Sequence, residues 1–591
     1  MVMNQSIKYN ILPEPKKVIY NEGAFDLLGC SVSVDDGLDS RVVSKAVELK
    51  TSISHKTGKA HSFYREYREN AKEIKSLKDN TLPKEGYNIA VTPDEVKVIG
   101  GDDAGCFYGI VTLLQMIEIE GYALPCVTVN DAPDMAFRGY YFDVTRGRVL
   151  SVEGAKKMID RLVRYKTNVL QFYVEHSFDF IEFRGGDRTE EDCLTTEDIL
   201  EIDRYCYENF VDFQPSLSTF GHLYELLMKE EYKHLCELVD YQPLGNSWLE
   251  RMFHHTIDPS NEESFELICS LIDQYLPLFR SKYFNICCDE TFDLGKGRNE
   301  GKDPADLYIT FVEKIIKHVN AAGKTAMMWG DIVLNHPELL GRIPEGTIML
   351  NWDYCGAPNE EKIKAVADAK VAQIVCPSTS AWDALIERAT ISEQNITQMV
   401  NFGYKYGAMG MLNTTWGDHG HACHPECALY GTVLGACASW NVGTTLGEEL
   451  EMAISRSVYK TNTNIIPIIK CLEVAQRPTH LPQCLAWGVS RAPETFVADV
   501  ATLEQSVIDA ERMHTALLEI DGDEELLFFL KTTAEGLAIL SSIALEVKEN
   551  SEVSKELRER IENWFADYKK AWLTSAKNSE LNRIYNVLDR V

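Results

Sequence analysis

The chain has 591 residues, 45% apolar and 25% charged, with a formal net charge of −31. Its length exceeds a single core and predicts about two to four domains. The charge argues against nucleic acid or an anionic membrane surface as partner, because phosphates would repel it.

The first residues, MVMNQSIKYNILPEPKK, hold no apolar core of a secretory signal. No uninterrupted apolar run reaches the roughly 18 residues of a membrane span. Many of the sixteen cysteines sit in strand- or helix-like contexts, as Cys206, Cys269, Cys376 and Cys437 do. They read as free thiols of a reducing compartment, so a cytoplasmic location is expected. There is no CxxC, no HExxH and no phosphate loop. Cys423 and His424, with His419 and His421, fit no standard zinc spacing. No metal and no cofactor are expected.

Residues 1–130 read as a separate α+β domain. YNILPEPKKVIYNEGAF opens with short extended segments broken by Pro and Gly. GYNIAVTPDEVKVIGG alternates with period two around a Pro-Asp turn, a hairpin pattern. DAGCFYGIVTLLQMIEIEG has helical spacing after an acidic start. PCVTVNDAPDMAFRG reads as exit strand and linker.

From residue 131 to 445 strands and helices alternate, which implies a parallel sheet. The predicted strands cover 137–145, 167–175, 211–218, 283–290, 325–331, 346–354, 372–380 and 408–418. The first is followed by the helix SVEGAKKMIDRLVRYK, with Ser151 as N-cap and Glu153 in its first turn. Eight strands with intervening helices predict a TIM barrel with insertions. The alternative, an open doubly wound sheet, requires a glycine-rich turn after the first strand, and YYFDVTRGR has none. Residues 446–591 hold amphipathic helical stretches and no strands, a helical C-terminal domain and a candidate dimer contact.

Chemically rich residues gather where these strands end. Asp289 and Glu290 end the fourth, after the apolar run YFNICC. Glu175 and His176 end the second, and His222 follows the third. Trp329, Trp352 and Tyr354, Trp382, and Trp416 with Asp418 belong to the fifth to eighth. Arg138 lies early in the first. Four of the nine tryptophans thus fall near one rim. Indoles around carboxylates suit a sugar, whose apolar faces stack on rings and whose hydroxyls need charged partners. Two carboxylates are the minimum for glycosidic chemistry. Neighbours in a regular strand point to opposite faces, so Asp289 and Glu290 can share one substrate only if the strand end is irregular.

FRGYYFDVTRGRV, YKTNVLQFYVEHSFDF, PSLSTFGHLYELL, FNICCDETFDLGKGR, MMWGDIVLNHPELL and GMLNTTWGDHGH together resemble glycoside hydrolase family 20, the β-N-acetylhexosaminidases. The resemblance implies an exo-acting, retaining mechanism in which the substrate's own acetamido oxygen is the nucleophile. It implies that Asp289 orients the acetamide and that Glu290 is acid and then base. It implies that Arg138 and Asp418 bind sugar hydroxyls, and that Trp329, Trp352 and Trp416 enclose the acetamido methyl and the ring. His222 would support the acid/base, with Glu175 and His176 behind it. Tyr354 and Trp382 are the candidates for contact with the acetamido oxygen. The expected partner is a glycan ending in GlcNAc or GalNAc. One departure stands out: Cys287 and Cys288 replace the usual glycines before the acid pair. The competing readings are a non-catalytic barrel that binds N-acetylhexosamine and an unrelated barrel hydrolase with an enzyme nucleophile.

Overall fold

The structure, a computed structural model, describes residues 10–66, 72–184, 189–241, 255–479, 498–550 and 553–589. The N-terminal unit is a seven-stranded sheet built from β1 (Lys17–Asp26), β2 (Ser31–Val34), β3 (Phe63–Tyr64), β4 (Glu73–Lys78), β5 (Tyr87–Val91), β6 (Glu95–Gly100) and β7 (Ala123–Asp131). Its order is β1-β7-β5-β6-β4-β2-β3. The expected hairpin is β5–β6, antiparallel with Tyr87 opposite Gly100. The expected helix is α2 (Asp103–Glu120), buried on nearly every side from Gly105 to Ile117. Such a helix must be enclosed on both faces, and it lies between the sheet and the barrel.

One helix here went unread in the sequence, α1 (Ser40–Thr57). Its signals are ordinary ones. Val42, Ala46, Leu49 and Ile53 form its buried stripe, the Asp39 side chain accepts from Arg41 N, and Gly58 at φ +64° ends it.

The central unit is a closed barrel of eight parallel strands. They are β8 (Phe137–Asp143), β9 (Val169–Val174), β10 (Asp212–Leu217), β11 (Tyr283–Asn285), β12 (Thr325–Trp329), β13 (Ile348–Trp352), β14 (Ala372–Cys376) and β15 (Gly410–Thr415). All eight expected strands are present in the expected order. Several are shorter than read, because the residues after them belong to rim loops. β11 stops at Asn285, so Asp289 and Glu290 stand beyond it rather than in it.

Barrel helices cap as the sequence suggests. α3 (Val152–Arg164) begins where Gly154 N donates to Ser151 Oγ at 3.0 Å. α4 (Thr196–Glu208) begins with a reciprocal Thr195–Asp198 capping box. The barrel interior carries a polar layer under β11. Gln171 Nε2 donates to Gln214 Oε1 at 2.8 Å, and Asn285 Nδ2 donates to Gln171 Oε1 at 3.0 Å.

After the last barrel helix, α5 (Leu429–Trp440), the elements among the described residues are all helices. The longest helix there, α6 (Glu524–Asn550), is long and apolar enough to cross a membrane by length and composition. Most of its apolar window, 78%, is buried inside the molecule, as in the central helix of a bundle. The next helix, α7 (Lys555–Leu573), docks on the rim loop after β15, where Tyr568 OH donates to Ala422 O at 2.8 Å.

Candidate active site

The acid pair sits on a loop with left-handed backbone at three non-glycine residues: Cys287 at φ +55°, Cys288 at +64° and Glu290 at +49°. Such torsions are uncommon outside glycine. They break the strand alternation and bring both acids to one small site. The loop is held from below and from the side. Cys287 N donates to Asn285 Oδ1 at 3.0 Å, and Cys287 Sγ lies 3.3 Å from Ser216 Oγ. Tyr308 OH donates to Cys288 O at 2.9 Å, and Glu290 N donates to Asp331 Oδ2 at 3.0 Å. The loop after β10 presses close. A Cβ at Gly221 would stand 2.7 Å from Asp289 O, so glycine is required there.

That close approach delivers His222. Its Nε2 is 3.5 Å from Asp289 Oδ2 and 3.3 Å from Glu290 Oε2. Burial disfavours its charge, but Asp289 and the hydrogen bonds to both acids prevail and push its pKa up to about 10. His222 is therefore an imidazolium that donates to the pair. Behind them, burial first and then the charge of Asp289 push Asp331 up to about 7.

A second cluster centres on Arg146. Its NH1 is 3.0 Å from Asp143 Oδ2 and 3.1 Å from Asp418 Oδ1, and its NH2 is 3.7 Å from Glu175 Oε1. Asp143 also accepts from Gly417 N at 3.1 Å, which ties β8 to the loop after β15. Tyr173 OH donates to Glu175 Oε1 at 2.7 Å. Burial would raise Glu175, but the hydrogen bond from His176 and the charges of Arg146 and His222 hold it at about 2. Burial pushes Asp418 up to about 6 against the pull of Arg146.

Aromatic rings line the space between these clusters. Trp329 is fully buried, its ring 5.8 Å from Trp416 and 5.2 Å from Tyr141. Trp352 stacks on Tyr354 at 5.0 Å, and Trp382 closes the row at 5.5 Å from Tyr354. Trp416 Nε1 donates to Tyr354 OH at 2.7 Å, so the phenol oxygen is an acceptor there and its proton points elsewhere. The Asp289 charge reaches this phenol too.

The domain 2 model of glycosyl hydrolase family 20 matches residues 8–132, and the catalytic domain model of that family matches residues 135–440. The chain belongs to glycosyl hydrolase family 20. A beta-hexosaminidase of Porphyromonas gingivalis is 28% identical over 311 residues, 46% of this chain and 38% of that protein. A lacto-N-biosidase of Bifidobacterium bifidum is 26% identical over 330 residues, 52% of this chain and 28% of that protein. The chain thus spans well under half the length of these two curated relatives. A chitobiase structure from Flavobacterium johnsoniae superposes with a TM-score of 0.61 at 18% identity, covering 96% of this chain and 99% of that one. A β-N-acetylhexosaminidase structure from Bacteroides fragilis has a TM-score of 0.61 at 19% identity, covering 76% of this chain and 94% of that one. At those identities the superpositions show a shared fold.

Within this family 20 site, Asp289, Glu290, His222, Glu175, Asp418, Trp329, Trp352, Tyr354, Trp382 and Trp416 all stand at the C-terminal rim, and His176 Nδ1 is 3.7 Å from Glu175. Arg138 does not. It is the second residue of β8, at the opposite end of the barrel, where NH1 donates to Glu85 Oε2 at 2.7 Å and Nε donates to Lys166 O at 2.9 Å. Its guanidinium lies under Trp440, 4.9 Å from the ring. The expectation that Arg138 meets substrate hydroxyls is corrected: strand direction places an early residue at the barrel floor. The arginine at the rim is Arg146, which the reading missed with Asp143, Tyr173 and Asp383. The signal was available, because Arg146 follows the end of the same strand by three residues.

His222, Asp289 and Glu290 bring ligand atoms within 4.8 Å of one another, a spacing that a cation would fit. The same atoms lie within reach of one another for hydrogen bonding, His222 Nε2 at 3.5 Å from Asp289 Oδ2 and 3.3 Å from Glu290 Oε2. His421 and His424 are engaged elsewhere, with Asp143 O and Ala571 O, and His419 pairs with Asp383 at 2.7 Å.

Proposed function

We propose that the protein is an exo-acting, retaining β-N-acetylhexosaminidase that removes terminal β-linked GlcNAc by substrate assistance. The observation that carries this reading is the spacing of the acid pair. Asp289 and Glu290 hold oxygens within 4.8 Å, bridged by one histidine. An inverting pair needs roughly 6.5–9.5 Å for its water. The other rim carboxylates, Glu175 and Asp418, flank Arg146. Two neighbouring acids on one loop at this spacing suit retention at one sugar, and the family 20 match is what supports the substrate as the nucleophile.

In this mechanism Glu290 gives its proton to the glycosidic oxygen, and the electron pair of the breaking bond stays with the aglycone. The acetamido oxygen attacks the anomeric carbon from the opposite face and closes an oxazolinium ring. Asp289 accepts from the acetamido N–H and balances the positive charge that develops on nitrogen. Glu290, now a carboxylate, takes a proton from water as it opens the ring, and the configuration is retained. His222 keeps both acids in place. Tyr354 donates to the acetamido oxygen, and Trp329, Trp352, Trp382 and Trp416 enclose the methyl and the pyranose face. Arg146 and Asp418 bind the hydroxyls. Intramolecular attack makes positioning the main source of rate.

The described cysteines, all unpaired thiols, support a cytoplasmic site of action. Hydrolysis of chromogenic β-GlcNAc and β-GalNAc glycosides by pure protein tests the reading. Turnover of the first is expected, with the second measuring tolerance at O4. Glu290→Gln should lower kcat by about 10²–10⁴. Binding of GlcNAc without turnover at any pH would instead favour the non-catalytic barrel.

A further inference from the structure

Asp331 opens the short helix that follows β12, two residues after Trp329. Its Oδ2 accepts from Glu290 N at 3.0 Å, the bond that fixes the backbone of the acid/base at φ +49°. Its Oδ1 is buried without a partner, and no cation pairs with it among the described residues. The groups that face it are Asp289, Glu290 and the Cys288 thiol from the loop after β11 and the Tyr308 phenol from the helix Pro304–Ala321. His222 approaches the acid pair from the loop after β10. Asp289 and Glu290 therefore share one imidazolium, and Asp331 is left beside them without a cation among the described residues.

We infer that Asp331 is the positioning residue of the acid/base: it aims Glu290 through the main chain and, as an uncompensated neighbour, keeps the proton on Glu290. This rests on the hexosaminidase reading above. With all three acids ionised and His222 protonated, the cluster carries a net −2 in a poorly solvated site, so a proton is retained near neutrality. Removing the charge of Asp331 weakens that hold, while the reacting groups themselves are untouched. Burial and then the charge of Asp289 push Asp331 itself up to about 7, so the retained proton is a property of the cluster rather than of one acid.

The test uses Asp331→Asn and Asp331→Glu, assayed on two glycosides of GlcNAc. Phenyl is a poor leaving group that needs the acid, and dinitrophenyl is a good one that does not. Asp331→Asn should lose at least about a hundredfold in kcat/KM on the phenyl glycoside and little on the dinitrophenyl glycoside. The basic limb of its pH profile should move to lower pH, because a negative neighbour that favoured the proton is gone. Asp331→Glu, which keeps the charge, should hold the wild-type limb. Equal losses on both leaving groups would mark a merely structural role and overturn the inference. So would Asn and Glu variants with the same profile. A wild-type protein that turns over neither glycoside would overturn the hexosaminidase reading, and this inference with it.

Discussion

Arg146 carries more of the site than any residue outside the acid pair. One guanidinium reaches Asp143, Asp418 and Glu175, which come from three different strand ends. Its planar fork does what a lysine cannot, so Arg146→Lys should lower kcat/KM by about 10² or more, through lost orientation of the sugar, and should lower the thermal midpoint as well, because it leaves part of the buried acid cluster unpaired. His222 makes a second residue-scale prediction. Its pKa is raised from 6.5 to about 10 in the folded state, so its stabilising contribution is complete below about 6.5 and drains away as pH rises toward 10. Thermal midpoints measured from pH 6 to pH 10 should fall more steeply for wild type than for His222→Gln. A parallel decline would refute the imidazolium assignment. The placement of the site residues was largely legible in the sequence, since eleven of the twelve named side chains stand at one rim and only Arg138 does not. What was not legible was direction: Arg138 and Arg146 lie eight positions apart, and only the strand's length decides which end each faces.

Strands were easier to read than loops. The eight barrel strands follow from apolar runs separated by helical spacing, and the order came with them. Rim residues were assigned to strands that in fact stop short, because torsions like those of Cys287, Cys288 and Glu290 leave no mark in hydropathy. The glycine-to-cysteine departure was visible, yet its meaning depends on φ. At +64° Cys288 tolerates the left-handed region because its thiol is short and sits 3.3 Å from Thr219 Oγ1. A β-branched side chain at such an angle is a genuine outlier. Cys288→Gly should keep activity within a few-fold, since lost packing is offset by relief of about 1 kcal/mol of backbone strain. Cys288→Val should displace the loop and abolish turnover. Comparable activity in the two variants would contradict this account of the loop.

The whole molecule grips the barrel at both ends. At the floor, Arg138 and Glu85 join the N-terminal domain to β8, beside a buried Lys166–Asp131 pair at 3.3 Å and a hydrogen bond from Trp440 Nε1 to Asp131 Oδ1 at 3.0 Å. At the rim, Arg148 stacks 3.7 Å from the ring of Trp572 on α7, two residues from Arg146. The C-terminal helices thus brace the segment that carries Arg146 and the loop that carries Asp418. Neither junction was readable from the sequence, because both join residues far apart in the chain through side chains that look ordinary locally. Arg138→Met strips a buried partner from Glu85 and should cost about 3–5 kcal/mol. A lowered thermal midpoint with unchanged kcat/KM at low temperature would place Arg138 in the domain junction. A selective loss of kcat/KM would return it to the sugar site.

The central claim is that the substrate's acetamide, held by Asp289, is the nucleophile. Successive replacement of the acetamido methyl hydrogens by fluorine drains electron density from that oxygen and leaves the leaving group unchanged. On one aryl β-GlcNAc glycoside, kcat/KM should fall steeply at each fluorine. A rate indifferent to fluorination would mean that the enzyme supplies the nucleophile, and the roles given to Asp289 and Glu290 would have to be abandoned.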